Sequence, residues 1–308
     1  MIKEKKTLGQ RISQDFSRNK YMYLLVIPVI AYFIVFHYKA MYGIVIAFKR
    51  YRPTAGIDGS PWVGLKNFKR IFSEDYFLTV LRNTLSISGL TLIFSFPAPI
   101  FLALILNEVK VSWFKRLTQT ISYMPHFISL VVVCTLLNTF CSTEGLFNTI
   151  IEFFGGERSS LLSQKELFYP IYVGSGIWQS IGWNSIIYLA TLAGIDMEQY
   201  EAAKVDGANR IQQMIHITLP GLIPTASMLL ILQIGSMLSV GQDKILLLYN
   251  PATYEVADVI ATYTYRKGFV NYDYSYGTAY GLFNSVVNLV LLLVANKISK
   301  RAGQSGLF

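Results

Sequence analysis

Between Thr84 and Leu106 the chain runs for 23 residues without one charged side chain. A bilayer core about 30 Å thick needs roughly 20 mostly apolar residues to be crossed by a helix. Within lipid, only a helix or a closed barrel satisfies its own backbone hydrogen bonds. Similar apolar runs recur along the sequence. The whole chain is 53% hydrophobic and 15% charged, with mean hydropathy +0.41, whereas soluble domains carry about 25% charged residues. An all-α membrane protein is the expectation.

Six segments have the length and composition of spans, at about 21–48, 84–106, 117–140, 167–195, 219–240 and 276–295. The first follows a basic segment, 1–20, in which Ile12 and Phe16 lie four apart. That spacing leaves open a helix on the membrane surface or a disordered tail. The apolar run from Tyr21 continues through Met41–Phe48 with no small-residue cleavage site, so it reads as a transmembrane helix and not a signal peptide. Pro97, Pro99 and Pro125 fall inside spans, where a missing backbone donor usually kinks a helix. Residues 21–299 form one six-span domain and 300–308 a tail. Cys134 and Cys141 accompany a single apolar segment and read as buried small hydrophobes.

The net charge is +9. In a soluble protein that would suggest nucleic acid. Here Lys and Arg sit beside apolar runs, where they face lipid headgroups and set orientation, so membrane lipid is the expected partner and nucleic acid is not. Six spans put both termini on one side. The basic N-terminus, the Lys110–Arg116 turn and the basic C-terminus make that side cytoplasmic, and the acid-rich 141–167 loop lies opposite. The connection 49–83 disagrees, because it holds Lys49, Arg50, Arg52, Lys66, Lys69, Arg70 and Arg82 on the outer side.

The most polar and helix-competent interruption is EAAKVDGANRIQQMIHITLP, Glu201–Pro220, within a cytoplasmic loop at 196–218. Glu201 to Lys204 favour helix. Gly207 tolerates the positive φ that stops one and turns the chain. Asn209 and Gln212 complete an approximate capping box for a second helix running toward Thr218. Pro220 stands where a further helix starts. Ala202, Ala203, Val205 and Ala208 offer a small, shallow apolar surface suited to a partner's groove.

This stretch resembles the EAA loop of permease subunits in ABC importers. Glu201, Ala202, Ala203, Gly207, Ile217, Leu219 and Pro220 match the pattern. The strings at 61–72, 82–88 and 259–299, with Gly182–Trp183–Asn184 and Tyr188, resemble the carbohydrate branch that imports complex oligosaccharides. The resemblance implies a type I ABC importer permease in a bacterial cell membrane. Glu201, Ala202, Ala203, Asp206, Gly207, Ala208, Ile217, Leu219 and Pro220 would then couple it to the ATPase. The implied partners are a second, homologous permease, two ATPase subunits and an extracellular solute-binding lipoprotein. The substrate would be a carbohydrate, and ATP and Mg would be bound by the ATPase subunits, with no cofactor in this chain.

No phosphate-binding Gly-Lys-Ser/Thr loop occurs, His37, His126 and His216 match no metal spacing, and no Gly-x-Ser-x-Gly is present. The residues alone leave open a channel or an intramembrane enzyme acting without an ATPase. Proton coupling is disfavoured, because it requires ionisable groups in mid-membrane and the spans hold almost none. A saccharide path needs polar groups for hydroxyls and aromatic faces for sugar rings. Trp183, Asn184 and Tyr188 on span four, and Gln233, Ser236 and Gln242 on or after span five, are candidates. Helix packing and interface anchoring are the competing roles for each.

Overall fold

The computed structural model describes residues 9, 15, 16, 18–304 and 306–308. The pairing expected of Ile12 with Phe16 lies outside the described residues. The chain is helical, and its main helices are α1 (Lys20–Phe48), α2 (Lys66–Ser73), α3 (Tyr76–Glu108), α4 (Ser112–Phe127), α5 (Leu130–Phe140), α6 (Leu146–Phe153), α7 (Lys165–Ala193), α8 (Met197–Val205), α9 (Arg210–Gly235), α10 (Gln242–Leu248), α11 (Tyr254–Ala257), α12 (Ile260–Tyr265) and α13 (Tyr274–Arg301). Helices α1, α3, α9 and α13 are long and apolar enough to cross a membrane, and α4 with α5 makes a fifth if that bent pair is one span. Helix α7 has 29 residues and is more polar, carrying Gln179 and Asn184.

The prolines behave differently in each span. Pro97 does not break α3, because the turn before it widens: Thr91–Ser95 is π-helical, and the Phe96 N–H reaches back to Thr91 at 3.2 Å. Widening gives the proline ring room where it would otherwise strike the carbonyl four residues earlier. The third expected span is instead sharply broken. Around Pro125 the helix tightens to a 3-10 turn, Met124–Phe127. Ser129 then leaves helical geometry (φ −61°, ψ 146°) and caps a new helix, its Oγ accepting from the Val132 N–H at 3.3 Å. Helices α4 and α5 therefore meet at 95°.

Three apolar clusters hold the body together. One joins Ala47, Ile71, Val80, Tyr276 and Tyr280. A second joins Ile87, Phe168, Ile245 and Val259. The third, around Ala103, Tyr188, Leu192 and Leu222, ties α3, α7 and α9. Side chains from Lys20 to Tyr42 are all exposed, so most of α1 stands off this body. Close approaches are made at glycine. A Cβ on Gly235 would lie 2.2 Å from Leu292 Cδ1, where α9 meets α13. Gly277 approaches Gly268, with its added Cβ 2.8 Å from that Cα, whereas Gly281 has nothing within 4 Å. Of the two glycines one turn apart, only Gly277 makes a close backbone contact.

The surplus of positive charge in 49–83 is partly neutralised in place. Arg70 pairs with Asp273 at 2.6 Å and lies 4.7 Å from the centre of the Tyr276 ring. Lys49 Nζ donates to the Ile57 carbonyl at 2.7 Å. Glu74, between α2 and α3, accepts from the Tyr263 hydroxyl and from Tyr276 at 2.8 Å, with Lys267 at 3.5 Å. Burial alone would raise the Glu74 pKa, but these hydrogen bonds and the Lys267 and Arg70 charges hold it below the ordinary value. A depressed carboxylate stabilises the fold above its unfolded pKa of ~4.3, and that contribution fades as pH falls through the folded value. Glu74→Gln is expected to cost on the order of 1–3 kcal/mol at neutral pH. Thermal unfolding of the solubilised protein at pH 7 and pH 4 checks this, because the gap between variant and parent should narrow at the lower pH.

Candidate functional site

Helices α8 and α9 form a hairpin whose turn is fixed by its own backbone. Asp196 caps α8, accepting from the Glu198 N–H at 3.0 Å. At the other end Gly207 takes φ +79°. The Ala208 N–H then reaches the Ala203 carbonyl at 2.9 Å and the Gly207 N–H reaches Lys204 at 3.1 Å. This is the paired closure of a Schellman turn. Asn209 and Gln212 exchange side-chain and backbone bonds at 2.8 and 2.9 Å, a full capping box that starts α9.

The second helix does not end before the next span. It runs unbroken from Arg210 to Gly235. Met214–Thr218 widens to a π-turn, and the Leu219 N–H bonds back to Met214. That turn accommodates Pro220, so the expected new helix start is instead an interior position. Tyr200 on α8 hydrogen-bonds Thr218 at 2.9 Å, tying the hairpin's two arms.

Glu201, Ala202 and Asp206 are exposed, while Ala203, Ala208 and Ile217 are half-buried around a shallow concavity of about 310 Å³ that also includes Gly207. Leu219 and Pro220 are exposed at the start of the span. Two larger apolar side chains project beside the turn, Val205 at 88% exposure and Ile211 at 64%. An exposed apolar tip on a capped, self-supported hairpin is suited to burial against another protein.

Further along α9 the structure brings several path candidates together. Two adjoining cavities of about 600 and 580 Å³ lie among α3, α7 and α9, and Ser95, Asn184 and Gln233 border both. Ser236, at the end of α9, borders the first; Trp183 and Tyr188 border the second. Tyr188 is otherwise buried in the third apolar cluster. Gln242 begins α10 and does not border either cavity.

His126 borders the first cavity and stacks on Trp183, ring centres 4.5 Å apart and planes within 4°. In the sequence it is only one of three histidines that match no metal spacing. Gln179, Ser180, Tyr172 and Lys244 also face this space. Their sequence signal was weak: polar residues about two turns apart on α7, and one lysine in a connection.

Residues 95–304 match the family described as the inner membrane component of binding-protein-dependent transport systems. The chain belongs to this family. The match spans the hairpin and most of the residues bordering the cavities. The permease is 45% identical over 305 residues to the polygalacturonan/rhamnogalacturonan transport system permease protein YteP of Bacillus subtilis (strain 168), covering 99% of this chain and 95% of that one. Protein LplB of the same organism is also 45% identical, over 98% and 96% of the two chains.

Among solved structures, a chain of a bacterial alginate ABC transporter in complex with an alginate pentasaccharide-bound periplasmic protein superposes with TM-score 0.90 at 43% identity, covering 96% of this chain and all (100%) of that one. A second structure is of a bacterial ABC transporter involved in import of the acidic polysaccharide alginate. It gives TM-score 0.88 at 44% identity, over 94% of this chain and 99% of that one. The permease is accordingly a transport subunit and not an enzyme.

Proposed function

We propose that this permease forms half of the membrane path of an ATP-driven importer of oligosaccharides. The observation that carries the reading is the continuity of α9. One helix joins the exposed hairpin tip to Gln233 at the cavity wall, over about 35 Å at 1.5 Å per residue. Displacing the tip therefore displaces the wall. The relatives named for polygalacturonan, rhamnogalacturonan and alginate support a saccharide cargo. The neutral polar groups around the cavities suit its hydroxyls.

The finer reading keeps six spans in a domain over 21–299, both termini cytoplasmic, in a bacterial plasma membrane. The partners are a second, homologous permease completing the path, two ATPase subunits, and an extracellular solute-binding lipoprotein. ATP and Mg bind the ATPase subunits. Closure of the ATPase pair carries the hairpins inward. The two permeases then rock from inward-facing to outward-facing as rigid bodies, and the binding protein releases its saccharide into the path. Hydrolysis resets the cycle. In the hairpin, Glu201, Ala202, Ala203, Asp206, Gly207 and Ala208 meet the ATPase, while Ile217, Leu219 and Pro220 join it to the span.

Co-expression with the candidate ATPase tests the docking role. The ATPase is expected to co-purify stoichiometrically with the parent permease and to be lost with Glu201→Lys, which reverses a charge on an exposed face. Undiminished co-purification of the variant would remove the hairpin from the interface.

A further inference from the structure

The first cavity contains a charge that the path described above leaves unused. Lys244, on α10, is only 8% exposed. Its Nζ donates to the Tyr172 carbonyl at 2.8 Å and lies 4.7 Å from the centre of the Tyr172 ring. Two glycines make the site. A Cβ on Gly176 would sit 3.4 Å from this Nζ, and one on Gly241 would sit 2.2 Å from the Tyr172 hydroxyl.

An ammonium group has three N–H donors. One carbonyl and a ring face do not balance its charge. Two other half-buried cations are matched, Arg266 by Asp258 and Lys267 by Glu74, while the half-buried Lys49 meets only the Ile57 carbonyl. Among the described residues no Asp or Glu forms an ion pair with Lys244. Asp243 beside it is exposed. Removing an unpaired charge from water is unfavourable, so a buried cation on a cavity wall in a transporter points to an anionic visitor. Ser88, Gln179, Ser180 and Gln233 on the same wall offer hydrogen bonds without charge, and His126 also borders it. Among the described residues around this cavity, Lys244 is the only lysine or arginine.

We infer that Lys244 is the anion-recognising residue of the path, pairing with the carboxylate of a uronic-acid unit as an acidic oligosaccharide passes. The inference rests on the oligosaccharide reading above and adds the sign of the substrate's charge and the group that reads it. The competing role is purely structural, with Lys244 fastening α10 to α7 through the Tyr172 carbonyl. A glutamine there keeps a hydrogen-bond donor and removes the charge, so the two roles separate.

The test uses the complete transporter in proteoliposomes with its binding protein, supplied with trigalacturonate or its carboxyl-reduced, neutral counterpart. Lys244→Gln is expected to lower trigalacturonate uptake relative to the neutral trisaccharide by about tenfold, the scale of a lost charge-assisted hydrogen bond. Lys244→Arg should restore most of it. If Lys244→Gln yields no assembled transporter, Gly176 decides the matter. Gly176→Asp sets a carboxylate against the ammonium and should reproduce the selective loss, with Gly176→Ala as the control for bulk. A Lys244→Gln transporter with the parent's ratio overturns the inference, as does a Gly176→Asp transporter indistinguishable from Gly176→Ala. Equal loss for both trisaccharides makes the lysine structural and also overturns it. A parent transporter that imports only the neutral sugar overturns the inference and leaves the oligosaccharide reading standing. One that imports neither sinks that reading, and the inference with it.

Discussion

Gly207→Val should abolish substrate uptake by the assembled transporter while the permease still inserts in the membrane. The residue holds φ +79°, a region that costs an L-residue on the order of 1–2 kcal/mol, and more for a β-branched side chain. Relaxing it breaks the two bonds that close α8, from Ala208 to Ala203 at 2.9 Å and from Gly207 to Lys204 at 3.1 Å. The direction of α8 relative to α9 is then lost. Nothing lies within 4 Å of a Cβ built at Gly207, so the effect comes from backbone geometry and not from a clash. No buried residue of the three apolar clusters lies in this turn, which is why insertion survives. A graded series sharpens the result: Gly207→Asn, which tolerates this region, should keep most activity, with Ala between Asn and Val. Uptake and substrate-stimulated ATP hydrolysis are measured together. Full coupling in the valine variant would sink the role assigned to the turn.

The legibility of this hairpin has a physical reason. Its geometry is set within the segment Asp196–Gln212, by residues whose preferences are local: an Asp cap, a positive-φ glycine and an Asn–Gln capping box. The long apolar helices α1, α3, α9 and α13 were legible for a similar reason, since the bilayer dictates length and composition. What escaped the sequence depends on partners distant along the chain or on how a turn relaxes. Pro220 reads as a helix start, yet a π-turn at Met214–Thr218 carries the helix through it. Pro125 reads as a kink, yet it is the Ser129 cap that turns the break into a 95° bend. Lys244 reads as one more connection lysine. Its burial comes from Tyr172, 72 residues away, and from the bare backbone of Gly176. Of the six path candidates, Gln242, a polar residue just after span five, is the one that borders neither cavity.

The second large effect is expected at Gly182, where α7 packs against α4 with no room for a side chain. A Cβ there would lie 2.1 Å from the Ser122 carbonyl oxygen and 2.9 Å from the Tyr123 nitrogen. Both are backbone atoms, so no rotamer change relieves the contact, and one helix must move. Overpacking of this kind typically costs 1–3 kcal/mol, sometimes more, as an order of magnitude. The movement also reaches the site. Ser122 and Tyr123 lie just before the turn that holds His126 against Trp183 at 4.5 Å, so pushing α4 away should open that stack and reshape both cavities. Gly182→Ala should lower thermal stability and uptake together, and Gly182→Val should leave little monodisperse protein after solubilisation. The control is on the same helix: Gly174 has nothing within 4 Å of its added Cβ, so Gly174→Ala should assemble and transport like the parent. Size-exclusion profiles and uptake of the three variants decide it. If Gly182→Val assembled and transported normally, α4 and α7 would have to sit farther apart in the working transporter, and the His126–Trp183 stack could not be a fixed part of the path.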